Sequence, residues 1–142
     1  MGAGITEMSE SISIRDHRDL VNRIAEEYGI RDTPILLVPS VSDWCRARGI
    51  NQQSPFRTAT SFHRDHDDLI VMMETIRADL VDGVYSNIRM HLPPECLAEI
   101  RIPQRFIAHL VLHEFKHLRD AGASEKECDV WALEELRKLG LP

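Results

Sequence analysis

The chain is poor in cysteine and in positive charge. Its 142 residues include three cysteines, Cys45, Cys96 and Cys128, and 17 lysines and arginines against 23 aspartates and glutamates. An odd number of widely separated cysteines argues against a disulfide framework and favours reduced thiols in a cytoplasmic protein. The formal net charge of -6 and the lack of a basic cluster argue against a nucleic-acid-binding surface.

Long apolar runs are also missing. No segment approaches the ~20 apolar residues of a membrane-spanning helix. Residues Met1 to Met8 lack the basic and apolar regions of a signal peptide. We therefore expect a cytoplasmic protein that binds neither membrane nor nucleic acid. Because 142 residues with 43% apolar content can bury one core, we predict a single domain over residues 1–142, with a flexible tail over residues 1–11.

The most informative segment is a run of five residues, His113-Glu114-Phe115-Lys116-His117. On an α-helix, side chains four residues apart lie on the same face, so His113 and His117 can bind one Zn²⁺ together. Glu114 then lies beside the metal, where its carboxylate can take a proton from a zinc-bound water. This pattern is typical of zinc-dependent hydrolysis, most often of peptide bonds.

The residues before this motif indicate a buried helix. Residues 103–112 are apolar on nearly every face. Pro103 suits the first helical turn, and Gly122 suits a left-handed position after the last turn. A buried helix must satisfy two histidines and a glutamate, and a metal ion does so. The alternative is a chance match on a purely structural helix.

A second helix is predicted over residues 124–136. Ser124 is its expected N-cap, and Glu127 stands where a capping box places a carboxylate. Glu125 and Asp129, one turn apart, are expected to face the first helix, with Cys128 filling core space beside them. Glu125 is therefore the preferred third metal ligand, ahead of Asp129 and then Glu127.

These two helices resemble the catalytic core of the gluzincin metallopeptidases, most closely the single-domain minigluzincins. In that family a HExxH helix is followed by a helix with Glu-x-x-x-Asp, here Glu125 to Asp129. The resemblance implies that His113, His117 and Glu125 bind one zinc ion. It also implies that Glu114 is the general base and that Asp129 hydrogen-bonds a ligand histidine.

The resemblance covers residues 103–139 and includes one departure. Only residues 118–124 separate His117 from Glu125, a shorter link than most gluzincins have. If the first helix continues to Ala121, Asp129 becomes a serious rival as the ligand. If it ends near Leu118, Glu125 fits.

The N-terminal part of the chain is predicted to be a scaffold. Asp16 is the expected cap of a helix that ends at Gly29, with an apolar stripe that includes Val21 and Ile24. The pattern over residues 74–81 fits a helix and a strand equally well. The other expected elements are strands over 35–38, 58–62, 69–73 and 84–92, a short helix over 42–48, and a polar loop over 63–68.

This order of elements predicts an α+β fold in which a small mixed sheet packs on the motif helix, as in zincins. By resemblance to zincins, one of the two strands beside the polar loop pairs with an extended substrate. The alternative is that both strands only bury one face.

The remaining histidines carry weaker signals. His109 is expected to be a core histidine bonded to a backbone carbonyl, while His63 and His66 are expected to be solvated. His91 and Tyr85 are candidates for a donor to the oxyanion that develops on the substrate.

The sequence as a whole favours a zinc metallopeptidase with one Zn²⁺ per chain and a peptide or protein substrate. The alternative is a regulatory or binding protein in which zinc only joins the two C-terminal helices.

Overall fold

A computed structural model describes residues 10–29, 33–50, 57–64, 67–120 and 122–141. Within these ranges the chain forms a small α+β fold with six α-helices and two small sheets, which confirms the predicted fold class at this level. The strands are β1 (Ile12–Ser13), β2 (Ile35–Val38), β3 (Ala59–Arg64), β4 (Asp67–Met73) and β5 (Thr75–Ile76). The helices are α1 (Arg18–Glu27), α2 (Val41–Ala47), α3 (Ala78–Arg89), α4 (Pro94–Ile100), α5 (Pro103–Arg119) and α6 (Glu125–Leu139).

The larger sheet has the strand order β2-β4-β3, with β2 parallel and β3 antiparallel to the central strand β4. The predicted strands over 35–38, 58–62 and 69–73 are confirmed. The predicted polar loop over 63–68 is wrong, because all of it except residues 65–66, which lie outside the described ranges, continues β3 and β4. β1 and β5 form a separate antiparallel pair.

The two faces of the larger sheet bury different apolar clusters, because successive side chains of a strand point to opposite faces. Ala59, Ile70 and Met72 join the main core with α1 and α3 to α6. Val71 faces a smaller cluster on the other side, with Val38, Val41 and Cys45. The main-core face of β3 is therefore the one that looks toward α5.

α5 is the most deeply buried helix. Five of its residues are fully shielded from solvent: Phe106, Ile107, Ala108, Val111 and Leu112. The helix packs against α6, β3 and α1, and Pro103 lies in its first turn as predicted. Among the described residues, no helix is long and apolar enough to cross a membrane.

The turn between α5 and α6 differs from the sequence prediction at Gly122. Gly122 does not adopt the left-handed conformation. Among the described glycines, Gly29, Gly49 and Gly140 do. The turn is instead held by Asp120, whose side chain accepts a hydrogen bond from the Gly122 amide at 3.2 Å. The predicted capping box is confirmed, since Ser124 and Glu127 exchange side-chain to backbone hydrogen bonds.

Two predictions for the scaffold part of the chain are wrong. The predicted strand over residues 84–92 lies mostly in α3, whose buried residues follow a helical period: Leu80, Val81, Tyr85 and Ile88. Asp16 does not cap α1, because it lies in a 3-10 turn over Arg15–His17 that precedes the helix. Glu10 and Ser11 are exposed and outside any regular element, and the rest of the predicted tail lies outside the described residues.

Candidate metal centre

The last two turns of α5 place two imidazoles side by side. The ring centroids of His113 and His117 lie 4.9 Å apart, as expected for residues four apart on one helix face. Their side chains are 13% and 25% exposed, so the pair lies at the edge of the core and in reach of solvent.

Glu125, the first residue of α6, faces both rings. One carboxylate oxygen lies 2.5 Å from His117 Nε2, and the other lies 3.5 Å from His113 Nε2. This approach is possible because α5 ends at Arg119, close to the Leu118 limit at which Glu125 fits as a ligand. Glu127 faces elsewhere, with its carboxylate committed to the Ser124 amide at 3.2 Å.

The electrostatics of this cluster favour a positive charge between the rings and the carboxylate. Burial alone would lower the pKa of His113, but its bonds to Asp129 and Glu125 outweigh burial and raise the pKa to about 10. The bond with His113 lowers the pKa of Glu125 to about 2. A proton on His113 Nε2 would therefore compete with a metal ion for the side of the ring that faces Glu125.

Asp129 lies on the opposite side of His113. The His113 Nδ1–H donates to Asp129 Oδ1 at 2.8 Å. The same oxygen accepts from His109 Nε2 at 3.0 Å, and the other oxygen accepts from His91 Nδ1 at 2.6 Å. Burial would raise the pKa of Asp129, but the bonds from His109 and His113 outweigh burial and hold the pKa well below its ordinary range.

This network fixes which nitrogen of His113 is available. With Nδ1–H donated to a carboxylate, the ring presents Nε2 toward Glu125, as metal-binding histidines do when a carboxylate holds their other nitrogen. Asp129 therefore orients His113 and does not share the Nε2 side of the ring with Glu125. Cys128 is fully buried beside it, as predicted.

Of the other candidate histidines, His109 confirms its predicted place in the core but not its predicted hydrogen-bond partner. His109 is a core residue, but it bonds Asp129 and not a backbone carbonyl, and its Nδ1 has no hydrogen-bond partner among the described residues. Burial lowers the pKa of His109 and favours the neutral ring. The side chains of His63 and His66 lie outside the described part of the structure.

Of the two residues considered as oxyanion donors, only His91 lies beside the candidate metal ligands. The Tyr85 hydroxyl donates to the Ile100 carbonyl oxygen at 3.2 Å in a buried location, and burial raises its pKa to about 12. His91 lines the cavity beside His113, and its Nδ1 is committed to Asp129.

Glu114 lies beside the proposed ligands and not among them. It is 7% exposed, and burial raises the pKa of its carboxyl above the ordinary range even though His113, His117 and a hydrogen bond from the Ser61 hydroxyl act in the opposite direction. A raised pKa brings a carboxylate closer to the range in which it can accept and return a proton at neutral pH.

Two cavities flank this cluster, with volumes of about 860 Å³ and about 530 Å³. Both are lined by Arg57, Glu114 and Glu125. The larger continues past Thr58 and Ala59, and the smaller continues past Thr60 and Ser61, so that β3 borders them in succession.

Several combinations of side chains come close enough to share a metal ion. In the described residues, His113 and His117 form one such group with Cys128, and His109, His113 and Asp129 form another, with donor atoms within 4.8 Å of one another. Burial raises the pKa of the Cys128 thiol to about 12, which disfavours the thiolate. In the second group the histidines already donate to Asp129. Glu125 faces the Nε2 atoms of His113 and His117, so these two histidines and the ionised Glu125 form a third candidate set.

No family model, curated protein or solved structure matches this chain. The case for any function therefore rests on the residues themselves. Sequence reasoning missed three contacts of this site: the bonds of His91 and His109 to Asp129, and that of Ser61 to Glu114.

The metal-free protein is expected to lose stability as the pH rises from 6.5 to 10. A pKa raised from 6.5 to about 10 means that the contribution of His113 is complete below pH 6.5 and lost as the pH approaches 10. With solvent screening at the partly exposed Glu125, we expect a loss of about 1–3 kcal/mol in the free energy of unfolding.

Urea unfolding at both pH values in the presence of a chelator measures this loss. His113→Gln is the matched control, because other groups titrate in the same range and the variant subtracts them. Equal pH dependence in the two proteins would contradict the ion pair between His113 and its carboxylate partners.

Proposed function

We propose that this protein is a zinc-dependent peptidase of the gluzincin kind, with a zincin-like arrangement of sheet and helices. The observation that carries the proposal is the position of one carboxylate, Glu125, opposite the Nε2 atoms of His113 and His117. The Asp129 bond to His113 supports it, since that is the contact the family resemblance implies.

Zinc held by these three residues would polarise the scissile carbonyl and lower the pKa of a bound water. The proton transfers are carried out by a side chain of the protein. Glu114 takes a proton from the attacking water and delivers it to the leaving amine. The Ser61 hydroxyl holds the Glu114 carboxylate, and burial keeps the pKa of that carboxyl raised, so that it can carry the proton in both steps.

β3 is the strand proposed to hold the substrate. In the described sheet it is an edge strand, and it borders both cavities on either side of Glu114. An extended peptide can add to such an edge through backbone hydrogen bonds. The scissile bond would then lie near Glu114 and Glu125, where the two cavities meet.

A second function is favoured by one observation. The Cys128 sulfur lies within 4.8 Å of a ring nitrogen of His113 and of His117. A sulfur ligand would help to close the metal site, as in zinc sites that only stabilise a fold. The protein would then be a regulatory or binding protein in which zinc joins α5 to α6.

The purified protein is expected to contain about one zinc per chain and to cleave peptides in a zinc-dependent manner. Elemental analysis gives the stoichiometry, and a mixed peptide library read by mass spectrometry gives the activity. Chelation should abolish cleavage, and added zinc should restore it.

Cobalt substitution separates the two functions. A sulfur-to-cobalt charge-transfer band that disappears in Cys128→Ser, together with no cleavage of the library, would favour the stabilising role. A protein that binds no transition metal after incubation with zinc at neutral pH would contradict both.

A further inference from the structure

One wall of the larger cavity is formed by residues other than the proposed metal ligands. It extends from His113 to α3, where its apolar lining comes from Leu80, Val84 and Ile88, and Leu110 of α5 completes it. At about 860 Å³ it lies within the range of cavities that bind small molecules or side chains.

Gly83 is an unusual choice for this wall. It lies in the interior of α3 with no positive φ, so the backbone does not require a glycine. A Cβ built at Gly83 would meet no heavy atom within 4 Å, so packing does not require one either. Glycine in a helix interior is less favourable than alanine. The effect of this glycine is that the cavity keeps its full width.

The direction of β3 relates the cavity to one side of a bound peptide. Ala59, near the start of the strand, borders the larger cavity, and Ser61 borders the smaller one. Antiparallel pairing is the commoner and more stable arrangement of two strands. A peptide paired antiparallel to β3 would place its carboxyl-terminal half beside Ala59.

We infer that the larger cavity receives the side chain on the carboxyl side of the scissile bond and that Gly83 determines its specificity. This inference rests on the proposed peptidase function. The preferred residue is large and apolar, such as phenylalanine or leucine. An acidic residue is disfavoured because four carboxylates line the cavity against one arginine, Arg57. The carboxylates belong to Asp79, Glu114, Glu125 and Asp129.

The test compares wild type with Gly83→Leu on peptides that carry phenylalanine or alanine on either side of the cleaved bond. For the carboxyl side, the wild-type preference for phenylalanine, as a ratio of kcat/KM values, should fall about tenfold or more in Gly83→Leu, since pocket contacts of this size have such effects. Arg89→Leu is the matched control: it adds the same side chain to an exposed position of α3 outside the cavity and should keep the preference.

Binding of two zinc-chelating hydroxamates, one with a benzyl and one with a methyl side chain, gives a readout that does not need turnover. The zinc-loaded wild type should bind the benzyl compound more tightly, and Gly83→Leu should lose that difference. An unchanged preference in Gly83→Leu, or a change confined to the amino side of the bond, would overturn the inference. A wild type that binds the benzyl compound selectively but cleaves no peptide would contradict the peptidase proposal alone.

Discussion

Glu114→Gln is expected to lower kcat by about 10²-fold or more while zinc content remains at the wild-type value. Glutamine keeps the shape of the side chain and can still hydrogen-bond to Ser61, but it cannot accept a proton from water. Because Glu114 lies beside the histidines and is not one of the proposed ligands, zinc affinity should change little. The measurement is kcat on a peptide that wild type cleaves, with zinc determined on the same sample.

The same variant has a second expected effect, on stability. The pKa of Glu114 is raised by burial, so its ionised form opposes folding at neutral pH when no metal is bound. The metal-free variant should therefore have an equal or slightly higher free energy of unfolding than wild type. Zinc-dependent cleavage that is unchanged in Glu114→Gln would remove this residue from the mechanism.

Glu125→Ala is expected to weaken zinc binding at least tenfold, because it removes the carboxylate that faces both imidazoles. Chelator competition gives the zinc dissociation constant. Glu127→Ala is the matched control two residues away, since its carboxylate serves the capping box; it should retain zinc and cost about 1 kcal/mol of stability.

Asp129→Ala tests whether Asp129 is the third ligand in place of Glu125. Asp129 contacts His113 at Nδ1, so its loss should weaken zinc binding through misorientation of the ring, typically by about 10–100-fold. If Asp129→Ala removes the metal while Glu125→Ala leaves it bound, the third ligand is Asp129 and not Glu125.

The parts of this site that lie close together in sequence were predictable. His113, Glu114 and His117 are related by the period of one helix, and the capping box of Ser124 and Glu127 marks the start of the next. Those two signals place Glu125 on the first turn of α6. The choice between Glu125 and Asp129 depended on where α5 ends, and no local signal in the sequence gives that end.

The contacts that join distant segments were not predictable in the same way. His91 and Ser61 reach Asp129 and Glu114 from other elements, and no spacing rule relates positions 38 or 53 residues apart. The error over residues 84–92 has a related cause. Val84, Tyr85 and Ile88 are compatible with a strand or a helix when taken alone, and the buried set of α3 becomes visible only with Leu80 and Val81.

The hydrogen bonds of Asp129 have a consequence for the order in which parts of the fold open. One carboxylate connects three segments, the turn after α3, the middle of α5 and the first turns of α6. Local unfolding of any one of these segments would break a hydrogen bond to the buried Asp129 carboxylate. We therefore expect the backbone amides of the three segments to exchange with solvent together. Those first turns of α6 also carry Glu125, so metal release and local unfolding of this end of the helix would be a single coupled event.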